Sequence, residues 1–164
     1  MPGHRFHLGL TERCNARCAH CYWDAHGAHP DPGLDRIDHI LSEFRRLARA
    51  HGERGRHVLT LSGGEPTLHA DLEAVIRRAR RRRFRVRLVT NAMALDAARA
   101  RALRGAGLRM VQVSVDGVEA ETFERVRGAG TWAPTLAGIE SLRDAGMFVI
   151  LSLVPLPETN LEEA

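Results

Sequence analysis

The stretch Cys14-Asn15-Ala16-Arg17-Cys18-Ala19-His20-Cys21 follows an apolar run and contains all three cysteines of the 164-residue chain. Three thiolates this close together can hold a four-iron cluster while leaving one iron without a protein ligand. Because an iron–sulfur cluster normally takes four cysteines, the loop indicates a site where a cofactor or substrate completes the coordination. We expect the chemistry to take place at that open iron.

Two other interpretations explain the same cysteines. A zinc site formed by the three cysteines with His20 or His26 has acceptable ligand types, and buried cysteines without a ligand are common. A disulfide framework is excluded within the chain, because an odd number of cysteines always leaves one thiol unpaired. The spacing alone favours a cluster no more than zinc, so the rest of the chain has to decide.

Three further segments each follow an apolar, strand-like run: Ser62-Gly63-Gly64-Glu65-Pro66, Thr90-Asn91-Ala92 and Ser114-Val115-Asp116-Gly117. Taken alone, Gly-Gly-Glu-Pro is compatible with an ordinary turn in which proline starts the next helix. Together with the cysteine loop, however, these segments resemble the radical S-adenosylmethionine (radical SAM) superfamily. Its signature is a loop of three cysteines with this spacing, followed by Gly-Gly-Glu-Pro. Ala92 departs from the glycine that is more frequent in the family.

The apolar pattern independently predicts an α/β fold. Runs rich in Val, Leu, Ile and Phe predict five strands, at Arg5–Leu10, His57–Leu61, Phe84–Thr90, Met110–Val115 and Met147–Val154. Apolar residues at helical spacing predict helices between them, in an apolar stripe from Leu34 to Leu47 that stops at Gly52, and at Asp71–Arg82, Asp96–Arg104 and Pro134–Ala145, the last two closed by Gly105 and Gly146.

Strands that alternate with helices form parallel βαβ units. Each of the four motifs then lies just after the carboxyl end of a strand, where barrels of parallel strands place their active sites. We therefore predict a partial (β/α) TIM-like barrel with about five of the six units usual in the superfamily. Residues 1–164 would form one core domain, incomplete at its C-terminus. A doubly wound nucleotide-binding sheet is the alternative, although no Gly-x-Gly-x-x-Gly opens a helix after the first strand.

The resemblance implies a [4Fe–4S] cluster and S-adenosylmethionine (SAM) as cofactors. In such an enzyme the cluster ligands would be Cys14, Cys18 and Cys21, and the open iron would be chelated by the amino and carboxylate groups of SAM. Reductive cleavage of SAM gives a 5′-deoxyadenosyl radical that abstracts hydrogen from a substrate. Gly63 and Gly64 would let the backbone approach the methionine part of SAM, and Glu65 would accept a hydrogen bond from its ammonium group. Glu65 is also explained as a carboxylate at a helix N-terminus.

Four more residues are candidate cofactor contacts by resemblance, each with a simpler explanation. Ser114 corresponds to a residue that binds the ribose or carboxylate of SAM, with Asp116 as a neighbour or only part of a tight turn. Asn91 is placed to contact the ribose or to cap its loop. Arg127 is placed to pair with the SAM carboxylate or to be a solvated surface charge.

His20 replaces the aromatic residue that usually precedes the third cysteine, and it is predicted to contact adenine through its backbone. Tyr22 would supply the missing ring. The motifs are most similar to the branch whose members often carry a SPASM domain and modify peptides, sulfatases or haem precursors. A peptide or haem-type precursor is therefore the expected substrate, and flavodoxin or ferredoxin the expected type of electron donor.

Composition adds less. The net charge is +4, and all 24 basic residues are arginine. The arginine run from 77 to 83 is expected to cover a helix surface and its C-terminal end. We do not expect nucleic-acid binding, because no aromatic platform accompanies the run. Without a signal peptide or membrane span, a cytoplasmic setting is expected. Besides the enzyme, a structural zinc module and a cluster-binding fragment without an enclosed active site are the alternatives.

Overall fold

The computed structural model describes residues 3–21, 29–52, 55–157 and 159–163. In this part of the chain, one parallel sheet contains the strands β1 Arg5–Gly9, β2 Val58–Ser62, β3 Arg85–Thr90, β4 Met110–Ser114 and β5 Phe148–Ser152. All the predicted strands are present, and each end lies within two residues of its predicted position. The predictions for His26 and Tyr22 concern positions outside the described residues.

Helices follow the strands on the outer side of the sheet. They are α1 Leu34–Ala50, α2 Leu72–Arg81, α3 Ala97–Ala106, α4 Ala120–Arg127 and α5 Trp132–Asp144, with short 3₁₀ turns at Pro66–Leu68 and Leu161–Glu163. Helix α4 was not predicted. It has only eight residues, and Phe123 and Val126 are its buried large apolar side chains, so its periodic signal is weak.

Two predicted helix boundaries were wrong. Gly105 does not close α3, because the helix continues to Ala106 and ends at Gly107, whose φ is +108°. Left-handed backbone of this kind favours glycine, and Gly107 is therefore the residue that stops the helix. Helix α5 begins at Trp132 instead of Pro134, because proline is tolerated in the first turn, where the backbone N–H groups have no helical partner.

The strand order decides between the two predicted α/β architectures. Each strand pairs with the next one along the chain, in the order β1-β2-β3-β4-β5, and all pairs are parallel. Right-handed connections between consecutive strands place the helices on one face, whereas a doubly wound sheet reverses its strand order. The alternative of a doubly wound sheet was wrong, and the partial barrel is confirmed.

The core lies between the sheet and the helices, and this packing leaves the other face of the sheet free for a site. Its largest buried side chains include Leu59, Leu61, Leu88, Ile37, Leu41, Ile76 and Leu103. The carboxyl ends of all five strands meet at one edge, because the strands are parallel. Among the described residues, no helix has the length and apolar character needed to span a membrane.

Candidate functional site

A cavity of about 500 Å³ lies at the carboxyl ends of the strands. Every predicted site residue except Asp116 lines it. These residues are Cys14, Cys18, His20, Cys21, Gly63, Gly64, Glu65, Asn91, Ser114 and Arg127. Segments separated by more than one hundred residues along the chain therefore surround one space.

The loop that carries the cysteines is fixed against the segment after β2. The backbone N–H of Gly64 donates to the carbonyl of Thr11 at 2.8 Å, and the N–H of Glu65 donates to that of Arg13 at 2.7 Å. These bonds extend the β1–β2 pairing past the strand ends. They hold the residue before Cys14 directly beside Glu65.

Gly63 and Gly64 are required by this contact between the two segments. A Cβ atom at Gly63 would collide with the carbonyl oxygen of Thr11, and one at Gly64 would collide with that of Arg13. Gly63 also has a φ of +131°, which side chains rarely allow. The sequence indicated glycine for the approach of SAM, but the nearest atoms in the structure are backbone atoms of the cysteine loop.

Glu65 is 1% exposed and joins two of the predicted motifs. Its Oε1 accepts hydrogen bonds from the N–H of Thr67 at 2.9 Å, from the Thr67 hydroxyl at 2.5 Å and from the Thr90 hydroxyl at 2.6 Å. Its Oε2 accepts from the N–H of Asn91 at 2.8 Å. The carboxylate caps the 3₁₀ turn Pro66–Leu68, as the helix-terminus explanation requires. Oε2 retains room for one more donor.

The side chain of Asn91 is used by the protein itself. Its Nδ2 donates to Oδ1 of Asn15 at 2.8 Å, and its Oδ1 accepts from the N–H of Met93 at 3.0 Å. The second bond is the loop-capping role considered for Asn91. The first bond ties the end of β3 to the cysteine loop, and Asn15 was not among the predicted site residues.

Ala92 adopts a left-handed backbone, with a φ of +64°. Only glycine takes this conformation without strain, so the alanine costs roughly 1–2 kcal/mol. Alanine in place of the more frequent glycine therefore destabilises this turn, although the hydrogen bond from the Ala92 N–H to the Thr90 hydroxyl maintains it.

The three cysteines lie in one loop after β1, and none is in a disulfide. Burial raises the pKa of the Cys14 thiol, and the charge of Glu65 raises it further. Burial also raises the pKa of Cys18, but the neighbouring Arg127 guanidinium opposes this shift. Of the two thiols, only Cys18 has, among the described residues, a neighbouring cation that lowers its pKa.

Within the described ranges, no three His, Cys, Asp or Glu side chains converge closely enough to hold one metal ion. A single zinc ion needs its ligands at roughly 2.0–2.3 Å. A four-iron cluster is different, because each cysteine binds its own iron and the sulfur atoms lie farther apart. Three thiols at the edge of a 500 Å³ cavity fit a cluster as the donor set.

Arg127 is not a solvated surface charge. Its side chain is 12% exposed, its Nε donates to Oδ2 of Asp116 at 2.6 Å, and its Nη1 donates to Sγ of Cys18 at 3.6 Å. His20 approaches the same carboxylate, with Nε2 at 3.5 Å from Oδ2. Helix α4 thus contributes a cation to the cysteine loop, and the backbone bond from Ala19 to the Val126 carbonyl fixes the two together.

Asp116 lies beneath the cavity and does not line it. It is fully buried, and its Oδ1 accepts from the N–H of Val154 at 2.9 Å while Oδ2 binds Arg127. Asn160 donates to the Asp116 carbonyl at 2.9 Å, so the chain after β5 is fixed at the same point. The structure gives Asp116 a role in joining segments, and its direct contact with SAM stays a prediction.

Ser114 is the last residue of β4 and lines the cavity. Gln112 and Ser152 line the same space from β4 and β5. Ser114 and Ser152 occupy the same register position on neighbouring strands. Within the described part of the chain, no hydrogen bond of the Ser114 hydroxyl is found, so this hydroxyl is free to bind a ligand.

The sequence profile of the Radical SAM superfamily matches residues 8–164. The chain is 36% identical over 157 residues to the AdoMet-dependent heme synthase of Methanosarcina barkeri, covering 94% of this chain and 43% of that protein. It is also 36% identical over 165 residues to the GTP 3',8-cyclase of Mycobacterium sp. (strain KMS), covering 96% of this chain and 45% of the relative. The chain thus spans less than half the length of these curated relatives.

Solved structures share the fold at low sequence identity. Native anSMEcpe with bound AdoMet superimposes with a TM-score of 0.76 at 18% identity, covering 94% of this chain and 44% of that one. The [FeFe]-hydrogenase maturase HydG gives a TM-score of 0.74 at 14% identity, covering 94% and 35%. These similarities concern the fold, and they agree with the partial barrel.

Proposed function

Because the chain belongs to the radical SAM superfamily, we propose that its cavity binds a [4Fe–4S] cluster and SAM and starts hydrogen abstraction from a substrate. Family members bind both cofactors. When bound and reduced, the cluster supplies the electron that splits SAM into methionine and a 5′-deoxyadenosyl radical. The observation that carries the proposal is the convergence of the cysteine loop, Gly-Gly-Glu-Pro and Ser114 on one cavity.

The cysteine loop supplies the cluster ligands. Cys14, Cys18 and Cys21 bind one iron each, and the bonds from Gly64 and Glu65 to the loop backbone hold the ligands in position. Both thiols with a raised pKa have to lose their protons before they bind iron, so cluster assembly releases protons. A four-iron cluster held by these three cysteines would have one iron without a protein ligand, and we assign that iron to SAM.

Glu65 provides the negative charge for the cationic groups of SAM. All its hydrogen-bond donors are neutral groups, and in the described residues no cation pairs with it. Its buried charge therefore acts on the cavity with little compensation. The remaining acceptor position on Oε2 is the one we assign to the SAM ammonium.

The opposite side of the cavity supplies polar groups for the rest of SAM. The free hydroxyl of Ser114 is assigned to the ribose or carboxylate. Arg127, which lines the cavity while bound to Asp116, has guanidinium N–H groups left for the carboxylate. His20 and Asn91 also line the cavity. We assign the backbone of His20 to the adenine of SAM and Asn91 to the ribose.

The substrate is assigned only at the level that the relatives share. One relative is named a heme synthase and another a GTP 3',8-cyclase, at the same identity. We propose hydrogen abstraction from an organic substrate, with a haem-type precursor as the first compound to test.

The proposal is tested by anaerobic reconstitution of the 164-residue chain, followed by iron, sulfide and zinc analysis and EPR spectroscopy after dithionite reduction. We expect four irons per chain and a reduced-cluster signal that changes when SAM is added. The Cys14→Ser, Cys18→Ser and Cys21→Ser variants should each lose this signal. The Ser42→Ala variant, on the outer helix α1, is the matched control and should retain it.

Two results contradict the proposal in different ways. Zinc in place of iron would support the structural zinc module. A reduced cluster whose signal is indifferent to SAM would support a cluster-binding fragment with an incomplete active site.

A further inference from the structure

A buried ion pair lies directly behind one cysteine of the candidate cluster loop. Arg127, the last residue of α4, is 12% exposed at its side chain, and its partner Asp116 is fully buried. The guanidinium donates through Nε to Asp116 at 2.6 Å and through Nη1 to Sγ of Cys18 at 3.6 Å. One planar group thus binds a carboxylate on one side and a sulfur on the other.

The arrangement is held rigidly from several directions. Oδ1 of Asp116 accepts from the Val154 N–H at 2.9 Å, and Asn160 donates to the Asp116 carbonyl at the same distance. On the other side, the Ala19 N–H donates to the Val126 carbonyl at 2.8 Å, which fixes α4 to the cysteine loop. The guanidinium therefore cannot leave Cys18 without breaking a buried ion pair.

We propose that Arg127 is a positioning residue that raises the reduction potential of the cluster through Cys18, with Asp116 holding it and partly offsetting its charge. The inference rests on the proposed function, because it needs a cluster at the three cysteines. Hydrogen bonds to the sulfurs and net charge are the main protein contributions to cluster potentials. A cation beside Cys18 stabilises the cluster after it gains an electron, and burial strengthens this effect.

Glu65 is the second charged group near the cysteine loop, and its effect on the cluster potential is opposite to that of Arg127. The buried Glu65 is hydrogen-bonded through its N–H to the residue before Cys14, so its charge disfavours added negative charge on that side. The Arg127 guanidinium, with Nη1 at 3.6 Å from Sγ of Cys18, favours it on the other side. Arg127 would thus offset the lowering of the cluster potential that the Glu65 charge causes. This role is separate from any contact with the SAM carboxylate, since it operates before SAM binds.

The test is an EPR-monitored redox titration of the reconstituted chain without SAM, with dithionite as the reductant. We expect the midpoint potential of the Arg127→Gln variant to shift to a more negative value. Arg125→Gln is the matched control, because Arg125 lies on the same helix but is half-exposed and pairs with Glu121 at 3.1 Å. It removes the same charge and should leave the potential near that of the wild type. Arg127→Lys should retain part of the effect.

Substitution of Asp116, the partner of Arg127, should shift the midpoint potential in the opposite direction. Asp116→Asn removes the negative charge that offsets Arg127, so the potential should shift to a more positive value. If Arg127→Gln fails to bind a cluster, this variant decides the question by its sign. Equal potentials for Arg127→Gln and Arg125→Gln, or an unchanged or more negative potential for Asp116→Asn, would overturn the inference. A wild-type chain without a cluster would instead overturn the proposed function.

Discussion

Two buried carboxylates join the loops of the site, and they differ in how their charge is balanced. Glu65 connects the ends of β2 and β3 and receives four hydrogen bonds from neutral donors. Asp116 connects the ends of β4 and β5 and binds the Arg127 guanidinium. The two carboxylates therefore differ in charge balance: Glu65 leaves a net negative charge near Cys14, whereas Asp116 forms an ion pair near Cys18.

The difference matches the two tasks expected of the cavity. SAM carries positive charge on its sulfonium and ammonium groups, so the uncompensated Glu65 suits the side where SAM is to bind. A paired carboxylate has little effect on SAM and instead keeps a cation beside a cluster ligand. Charge balance at each carboxylate thus separates cofactor binding from cluster tuning.

The strongest way to break the comparison is the Asp116→Ala substitution. It leaves the buried Arg127 guanidinium without its partner and the Val154 N–H without an acceptor. We expect the free energy of unfolding to fall by about 3–5 kcal/mol, measured by urea denaturation of the cluster-free chain. Glu121→Ala removes the partner of the half-exposed Arg125 and serves as the control. It should have little effect, and equal losses would refute the assigned difference between the two ion pairs.

Glu65→Gln tests the carboxylate whose hydrogen-bond donors are all neutral. The amide keeps the shape of the side chain but places an NH₂ group against hydrogen-bond donors. We therefore expect the free energy of unfolding to fall by about 2–3 kcal/mol. No buried cation is left unpaired, and the loss should be smaller than for Asp116→Ala. The Glu43→Gln change, at a half-exposed side chain, should leave the free energy of unfolding almost unchanged. A larger loss at Glu65 than at Asp116 would reverse the comparison.

Gly64→Ala tests how the Glu65 side is attached to the cysteine loop. The added methyl group would collide with the backbone of Arg13. We expect the free energy of unfolding to fall by about 2 kcal/mol and iron binding to weaken. Gly105→Ala is the reference, because nothing lies near its Cβ position inside α3. Its free energy of unfolding should rise by about 1 kcal/mol, because alanine has a higher helix propensity than glycine. The opposite signs are measurable in one set of urea titrations.

The smallest expected effect is at Ala92, beside the Glu65 network. Ala92→Gly relieves the left-handed strain at φ +64° but adds freedom to the unfolded chain. We expect a net gain of about 0.5–1 kcal/mol, observed as a rise in Tm by calorimetry. A loss of stability would mean that burial of the Ala92 methyl group outweighs the strain.

Much of the fold could be predicted because local patterns determine it. Apolar runs defined the strands, and four motifs after strand ends defined the edge at which the site lies. Asp116 follows the end of β4 at Ser114, so the alternation of polar and apolar residues along that strand could not place its side chain. Beyond that point the period of two no longer applies.

Long-range contacts account for the other omissions. Asn15 and Asn91 are 76 positions apart, and Asn160 binds Asp116 across 44 positions, so no local pattern connects them. The asparagine after Cys14 was visible in the motif, but its partner could be identified only in the folded chain. The substrate and the cytoplasmic setting stay predictions.

The most direct test of the central claim is electron–nuclear double resonance on the reduced cluster, with SAM labelled with ¹⁵N in its amino group and ¹⁷O in its carboxylate. If the three cysteines leave one iron open to SAM, both labels should show hyperfine coupling to the cluster. A reduced four-iron cluster without coupling to either label would contradict the account, because SAM would then not bind the iron that the cysteine loop leaves free.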